Sequence, residues 1–158
     1  MGYEVADFVV AGPDRIAFIH AKHGRGKKLS ASVLQDVIGQ AMKNLPHLQP
    51  VDPPVPTRRD WDKVWNLGQG YEEVGRQRVG AYDGVGEMWT AMRDVITDPN
   101  SQREVWLLLG QALSKTDLVD DLQSDNTSPQ TIQIYALLHN AWAACQQLGV
   151  RLRVFCSP

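Results

Sequence analysis

Three polar residues stand out in two otherwise apolar segments near the start of the chain. Asp7 lies in EVADFVV, Glu4 to Val10, while His20 and Lys22 lie in RIAFIHAK, Arg15 to Lys22. A carboxylate, an imidazole and an ammonium group on one surface can together hold a divalent cation and stabilise negative charge on a phosphodiester attacked by water. Burying such groups without partners is costly, so they need each other, an ion or solvent. The plain structural alternative is a buried ion pair, or strand ends that project into water.

Whether the three groups meet depends on the segments that carry them. Both are rich in branched and aromatic residues, and Ala11-Gly12-Pro13-Asp14 separates them, which predicts two strands and a turn. A turn centred on Gly12-Pro13 pairs Ala11 with Asp14 and sets Asp7 opposite Phe18, diagonal to His20. Strand side chains alternate, so Asp7, His20 and Lys22 then share a face. Apolar residues on both faces predict a hairpin that is central or nearly so, in a sheet covered on two sides.

The rest of the chain alternates helices and strands. His23 to Lys28 is a basic loop. Ser32 with Gln35 reads as a capping box, and Val33, Leu34, Val37, Ile38, Ala41, Met42 and Leu45 give the helix an apolar stripe that leaves Gln35, Asp36 and Lys43 off it. Prolines at 46, 50, 53, 54 and 56 predict an extended loop from Pro46 to about Asp60. Residues Trp61 to Tyr82 carry no clear pattern beyond one short helix. Met88, Trp89, Met92, Val95 and Ile96 have helical spacing that Asp98-Pro99 ends. Glu104 to Leu109 reads as a buried strand and Ser114 to Gln123 as a short helix. A longer helix opens at Ser128-Pro129 and stops at Gly149. Val150 to Phe155 forms the last strand, with Arg151 and Arg153 on one face. A single α/β domain spanning 1–158 is expected. Both ends fall abruptly at strands, as in a domain excised from a longer protein.

On these residues the chain resembles the PD-(D/E)xK nuclease superfamily, the restriction-endonuclease-like fold. There an acidic residue on one strand precedes, across a turn, an acid-x-Lys triplet on the next strand, and a helix follows. Here the order is Asp7, then His20-Ala21-Lys22, then the helix from Val33. The resemblance covers mainly residues 3 to 45. It implies a central mixed sheet flanked by helices, with Asp7 as ligand to magnesium or manganese and Lys22 orienting or helping to deprotonate the attacking water. His20 would be ligand or base, and Gln35 resembles a glutamine that some branches carry near the active centre. His20 replaces the family's middle acid, and imidazole suits manganese better than magnesium. The family also usually has a helix and a strand before the acidic strand, often with a glutamate. Strict alternation puts Glu4 on the opposite face from Asp7.

The function so implied is a DNA-cutting domain of a cytoplasmic restriction, repair or phage-defence protein. The alternative is a non-catalytic domain of the same fold that binds nucleic acid or a protein partner. A purely structural interaction domain is the third reading. Lys22, His23, Arg25, Lys27 and Lys28 form the densest basic cluster, placed to meet DNA phosphates, or else a solvated loop.

Composition narrows the rest. The chain is 43% hydrophobic and 22% charged with a formal charge of −2, which argues against coating nucleic acid by bulk charge and leaves only a local patch for it. No apolar run is long enough to span a bilayer. Cys145 and Cys156 have no CxxC spacing and read as reduced, structural thiols. Gly24 to Lys28 lacks the GxxxxGK[ST] spacing of a phosphate loop. His47 and His139 read as solvated or core residues. The five tryptophans read as mostly core, with Trp61 and Trp65 beside Arg58, Arg59 and Lys63 as the alternative, an exposed contact surface.

Overall fold

The computed structural model describes residues 5–23, 29–51, 64, 68–80 and 82–158. Four strands, β1 (Phe8–Ala11), β2 (Arg15–Ala21), β3 (Gln102–Ser114) and β4 (Arg151–Ser157), form one sheet in the order β1-β2-β3-β4. β1 and β2 are antiparallel; β2, β3 and β4 are parallel. The helices are α1 (Ala31–Asn44), α2 (Val85–Thr97), α3 (Lys115–Leu122) and α4 (Pro129–Gln147), so the fold is α/β with a mixed sheet, as expected. Among the described residues no helix is long and apolar enough to cross a membrane.

Topology decides where the core lies. The three parallel strands step across the sheet in chain order, so right-handed crossovers carry both helical connections over the same face. The core follows this rule. Ile16 and Phe18 of β2 and Val105, Leu107 and Leu109 of β3 pack in one cluster with Leu34 and Val37 of α1, Trp89 and Met92 of α2, and Ile134 and Cys145 of α4. Ala17 and Ile19, which alternate with these on β2, are buried yet stand outside that cluster. Among the described residues the helices pack on one face, while Ala17, Ile19 and Glu104 are buried on the other as well, in keeping with the expectation of a sheet covered on two sides. The hairpin is nearly central: β2 is an inner strand, and β1 is an edge strand whose Phe8 and Val10 are exposed on the other face.

Local chemistry explains most element ends. Ser128 caps α4, its hydroxyl accepting from the Thr131 amide at 3.3 Å, with Pro129 in the first turn. Such a cap is worth about 1 kcal/mol. At the other end the Val150 amide donates to the Cys145 carbonyl at 2.9 Å and the Gly149 amide to the Gln146 carbonyl at 3.0 Å, with Gly149 at φ +64°. This left-handed turn satisfies carbonyls that the helix leaves open. Asp98 ends α2, as its spacing implied.

Three expectations need correction. α1 starts at Ala31 behind Ser30, which makes no side-chain cap bond, so the box expected from Ser32 and Gln35 is not the helix start. Pro46 sits inside a 3-10 turn, Leu45–Leu48, because a proline near the start of such a turn lacks only an N–H that would have no partner there. β3 runs well past Leu109: at Gly110, φ +48°, its register against β4 shifts and the strand continues to Ser114.

Candidate functional site

His20 and Lys22 stand at the carboxyl end of β2, the side of a parallel sheet where α/β proteins place ligands. The Lys22 amide donates to the Leu108 carbonyl at 2.9 Å, extending the pairing with β3 one residue past β2. Alternation then sends His20 and Lys22 to the helical face, together with Ile16 and Phe18.

Asp7 reaches the same edge of the sheet by a register other than the expected one. Phe18 pairs with Val9, not Asp7, and the turn closes with the Gly12 amide donating to the Arg15 carbonyl at 2.8 Å. The shift of two residues preserves faces, since strand side chains repeat every two. Asp7 immediately precedes β1, and the register carried one residue further sets it against His20. Its amide donates to the Ile19 carbonyl at 3.0 Å, and its Oδ2 accepts the Ala21 amide at 2.7 Å. The carboxylate thus takes the place of a strand partner for Ala21 and is held at the end of the ladder.

His20 is only 2% exposed, and its Nε2 is buried with no hydrogen-bond partner. Burial lowers its pKa from the ordinary 6.5, and the Asp7 charge raises it in part. A histidine that stays neutral in the fold but takes a proton in the unfolded chain makes stability depend on pH. The contribution of His20 is full above the unfolded value and is lost as pH falls from about 6.5 toward the lower folded value. Half-buried His47, edge-on to the Trp89 ring at 6.1 Å, is also lowered by burial and adds a slope of the same sign. Urea unfolding at about pH 7.5 and about pH 5.5 should show a stability loss that shrinks in His20→Leu to the part due to His47. An unchanged loss in that variant would assign the slope elsewhere.

The Lys22 ammonium pairs with Asp36 Oδ2 at 3.5 Å, and no ion pair joins it to Asp7 among the described residues. Both partners reach solvent, so this pair is worth at most about 1 kcal/mol. Lys22 also lines an open cleft of about 500 Å³ with Gln35, Asp36, Gly39, Gln40 and Lys43. Gln35 is therefore in the cleft that Lys22 borders, whereas Asp7 is tied to the β2 backbone. In the sequence Asp36 reads only as the polar side of α1, and Gln40 carries no signal of its own. What could have found them is the spacing 36, 40, 43, which puts both with Lys43 on one helical stripe.

His23 is exposed beside Lys22, while Arg25, Lys27 and Lys28 lie outside the described residues, as do Glu4, Arg58, Arg59, Trp61, Lys63 and Trp65. Among the described residues no group of three or more His, Cys, Asp or Glu could hold a metal ion. Both cysteines are free, and burial pushes the Cys145 thiol up to about 11, well away from a reactive thiolate at neutral pH. Trp142 is a correction to the core reading: it is exposed on α4, where His139 packs between it and Tyr135.

A second constellation has no counterpart in the sequence patterns. Glu104, at the start of the predicted third strand, is fully buried, and its Oε1 accepts from Arg153 Nε and Nη2, both at 3.0 Å. Its Oε2 accepts from the Trp106 indole at 2.6 Å. Burial alone would raise the carboxyl pKa, but the hydrogen bonds from Arg153 and Trp106, with the charges of Arg153 and Arg15, outweigh it and leave it below the ordinary value. Parallel pairing of β3 and β4 aligns Glu104 with Arg151 and Trp106 with Arg153, which is how residues far apart in sequence meet.

Fold and site together define an α/β protein with a four-stranded mixed sheet and a polar cleft between Lys22 and the outer side of α1. No family model, curated protein or solved structure matches the chain.

Proposed function

We propose that this chain is a divalent-metal-dependent nuclease domain of the PD-(D/E)xK type, with the restriction-endonuclease-like fold, acting on DNA in a cytoplasmic restriction, repair or phage-defence setting. The observation that carries the proposal is that Asp7 lies against His20 at the end of the β1–β2 hairpin, with Lys22 one residue beyond β2 on the rim of a cleft open to solvent. Also in its favour is the layout: a hairpin followed directly by a helix, and after a second helix a strand parallel to β2, within a mixed sheet.

Exposed Asp7 is the donor open to a cation, and His20 would join it once its buried Nε2 is uncovered. Asp7 keeps lone pairs on both oxygens after accepting the Ala21 amide, and His20 is held neutral with a bare buried Nε2. Magnesium commonly takes one or two carboxylates and fills its shell with water and substrate phosphate, and an imidazole donor tilts the choice toward manganese. Asp7 and His20 would hold the ion, which when bound supplies Lewis-acid polarisation of the phosphodiester. The Ala21 amide keeps the Asp7 carboxylate aimed. Lys22 stabilises the charge that builds on the phosphate, with Asp36 holding its ammonium at the cleft mouth, and Gln35 positions water. Lys22 and His23, followed by Arg25, Lys27 and Lys28, would meet the phosphate backbone.

A second reading, a non-catalytic domain of the same layout that binds nucleic acid, has its own observation: His20 Nε2 is sealed from solvent. Incubating the purified chain with plasmid and with single-stranded DNA separates the two. Cleavage that needs manganese or magnesium and stops with a chelator is expected. No cleavage with either ion, no calorimetric heat from either, and retained DNA binding would replace the first reading by the second.

A further inference from the structure

Helix α4 runs for 19 residues without one Asp, Glu, Lys or Arg, in a chain that is 22% charged. A helix whose outer side meets only water usually carries charged residues there. The inner side of α4 is ordinary: Thr131, Ile134, Ala141 and Cys145 are buried. Its outer side is apolar as well. Ile132, Tyr135 and Trp142 are 55, 55 and 51% exposed. Between the last two lies exposed His139, its ring 6.1 Å from that of Tyr135 and 5.9 Å from that of Trp142. Three rings thus form a ladder along the outer side, an apolar strip in a helix that has no charge to keep it in water.

Spacing and charge together narrow what covers it. Ile132, His139 and Gln146 recur every seven residues, and Tyr135 and Trp142 follow the first two by three, which is the pattern of a helix that packs lengthwise on another. Helical geometry sets the Tyr135 and Trp142 rings on one side of this seam and the small residues Ala136 and Ala143 on the other. A copy turned by a half-circle about an axis along the seam lays Tyr135 against Ala136 of the second copy and Trp142 against its Ala143, large on small at both heights. Nucleic acid and anionic lipid surfaces need Lys or Arg, which α4 lacks. A charged peptide would lose hydration there without gaining an ion pair. A different neutral protein would have to supply the ring-and-alanine match that a copy already has.

We infer that the outer side of α4 docks a second copy of this chain, α4 alongside α4 about a two-fold axis, with the two His139 rings meeting at its centre. No charge opposes the contact, and each copy fills the other's alanine side with its rings. A helix of 19 residues is about 28 Å long, so one such pair supplies a contact at the low end of specific interfaces, and the dimer is reversible. The surface is on a different helix from the one that lines the cleft of Lys22, and its role does not depend on cleavage.

Sedimentation equilibrium of the full chain from about 1 to about 200 μM tests this, a range that brackets the affinity of a contact this small. The mass should rise with concentration from 17.6 kDa toward twice that. Trp142→Ala should weaken the dimer at least about 30-fold, the effect of losing an interface anchor. His139→Lys and His139→Glu should each leave a monomer, because like charges then meet at the axis, and an equimolar mixture of the two should dimerise again. Both positions are exposed, and circular dichroism checks that the variants fold. A chain monomeric over the whole range would overturn the inference. So would a dimer indifferent to these variants, or charge variants that stay apart when mixed, since the contact would then not be α4 on α4. Binding of a monomeric chain to neutral phosphatidylcholine vesicles, lost in Trp142→Ala, would give the face to lipid instead. Absence of DNA cleavage alongside dimerisation would remove the nuclease proposal and leave this one standing.

Discussion

Lys22→Ala is expected to lower the proposed plasmid cleavage about 100- to 1,000-fold, the usual cost of removing one group that stabilises charge in a transition state. The loss should fall on kcat more than on KM, because the ammonium is needed most where negative charge builds. The fold should survive. Lys22 is on the rim of the cleft, its amide bond to Leu108 belongs to the backbone, and its ion pair with Asp36 is partly exposed and worth little. Lys22→Arg, which keeps the charge but not its compact shape, should recover part of the rate. Asp7→Asn should abolish metal binding together with the activity, since an amide cannot replace the carboxylate charge. Wild-type cleavage by Lys22→Ala with an unaltered melting curve would remove Lys22 from the mechanism.

The largest stability effect is expected at Arg153, on the opposite face. Arg153→Met leaves the Glu104 carboxylate fully buried with the Trp106 indole as its remaining direct hydrogen-bond donor and the Arg151 guanidinium 4.0 Å away. Breaking a buried pair in this way costs about 3 kcal/mol, because the surviving charge keeps its desolvation penalty and loses its compensation. Glu104→Gln should cost less. The partner left behind, Arg153, has a side chain 38% exposed and can turn to water, which buried Glu104 cannot. Replacing both residues by leucine should recover much of the loss. Urea unfolding of the three variants at neutral pH checks the order. Equal costs for Arg153→Met and Glu104→Gln would mean that the carboxylate is not the group in need of shelter. Because Glu104 is held below its ordinary pKa, its contribution is present above the unfolded value near 4.5 and fades as pH falls through the folded value. Arg153→Met should therefore flatten the acid limb of the stability curve.

These two expectations concern residues that differ in how plainly the sequence announced them. Lys22 stood out because an ammonium group at the end of an apolar strand is conspicuous within one short segment. Glu104 did not. Read locally it is only the first residue of a strand, and Arg151 and Arg153 are an alternating pair on another. Their union needs β3 and β4 side by side and parallel, an arrangement no local pattern records. Asp36 was hidden for a related reason: a polar residue opposite an apolar helical stripe usually faces water, and only the docking of α1 against β2 brings it to Lys22.

Signals that act within a few residues were readable. Ser128-Pro129 and Gly149 bound α4 because a cap hydroxyl and a left-handed glycine act on the backbone next to them. The branched and aromatic run from Arg15 to Lys22 was enough to make a strand, and strand alternation to send His20 and Lys22 to the same face. Signals that depend on pairing were not readable. The hairpin register slid by two because the turn closes between Gly12 and Arg15 rather than Ala11 and Asp14. β3 outran its apolar core because Gly110 could bend without ending it.

The strands, the longer helices and the kinds of group that end the first hairpin were thus written in the chain, since they follow from side-chain periodicity and backbone capping over one or two turns. Packing settled which face of the sheet the helices cover, that Asp7 is bound to the Ala21 amide, and that Glu104 lies beneath Arg153. Those outcomes are set by strand order and crossover handedness, which bring Glu104 and Arg153 together across 49 positions of sequence.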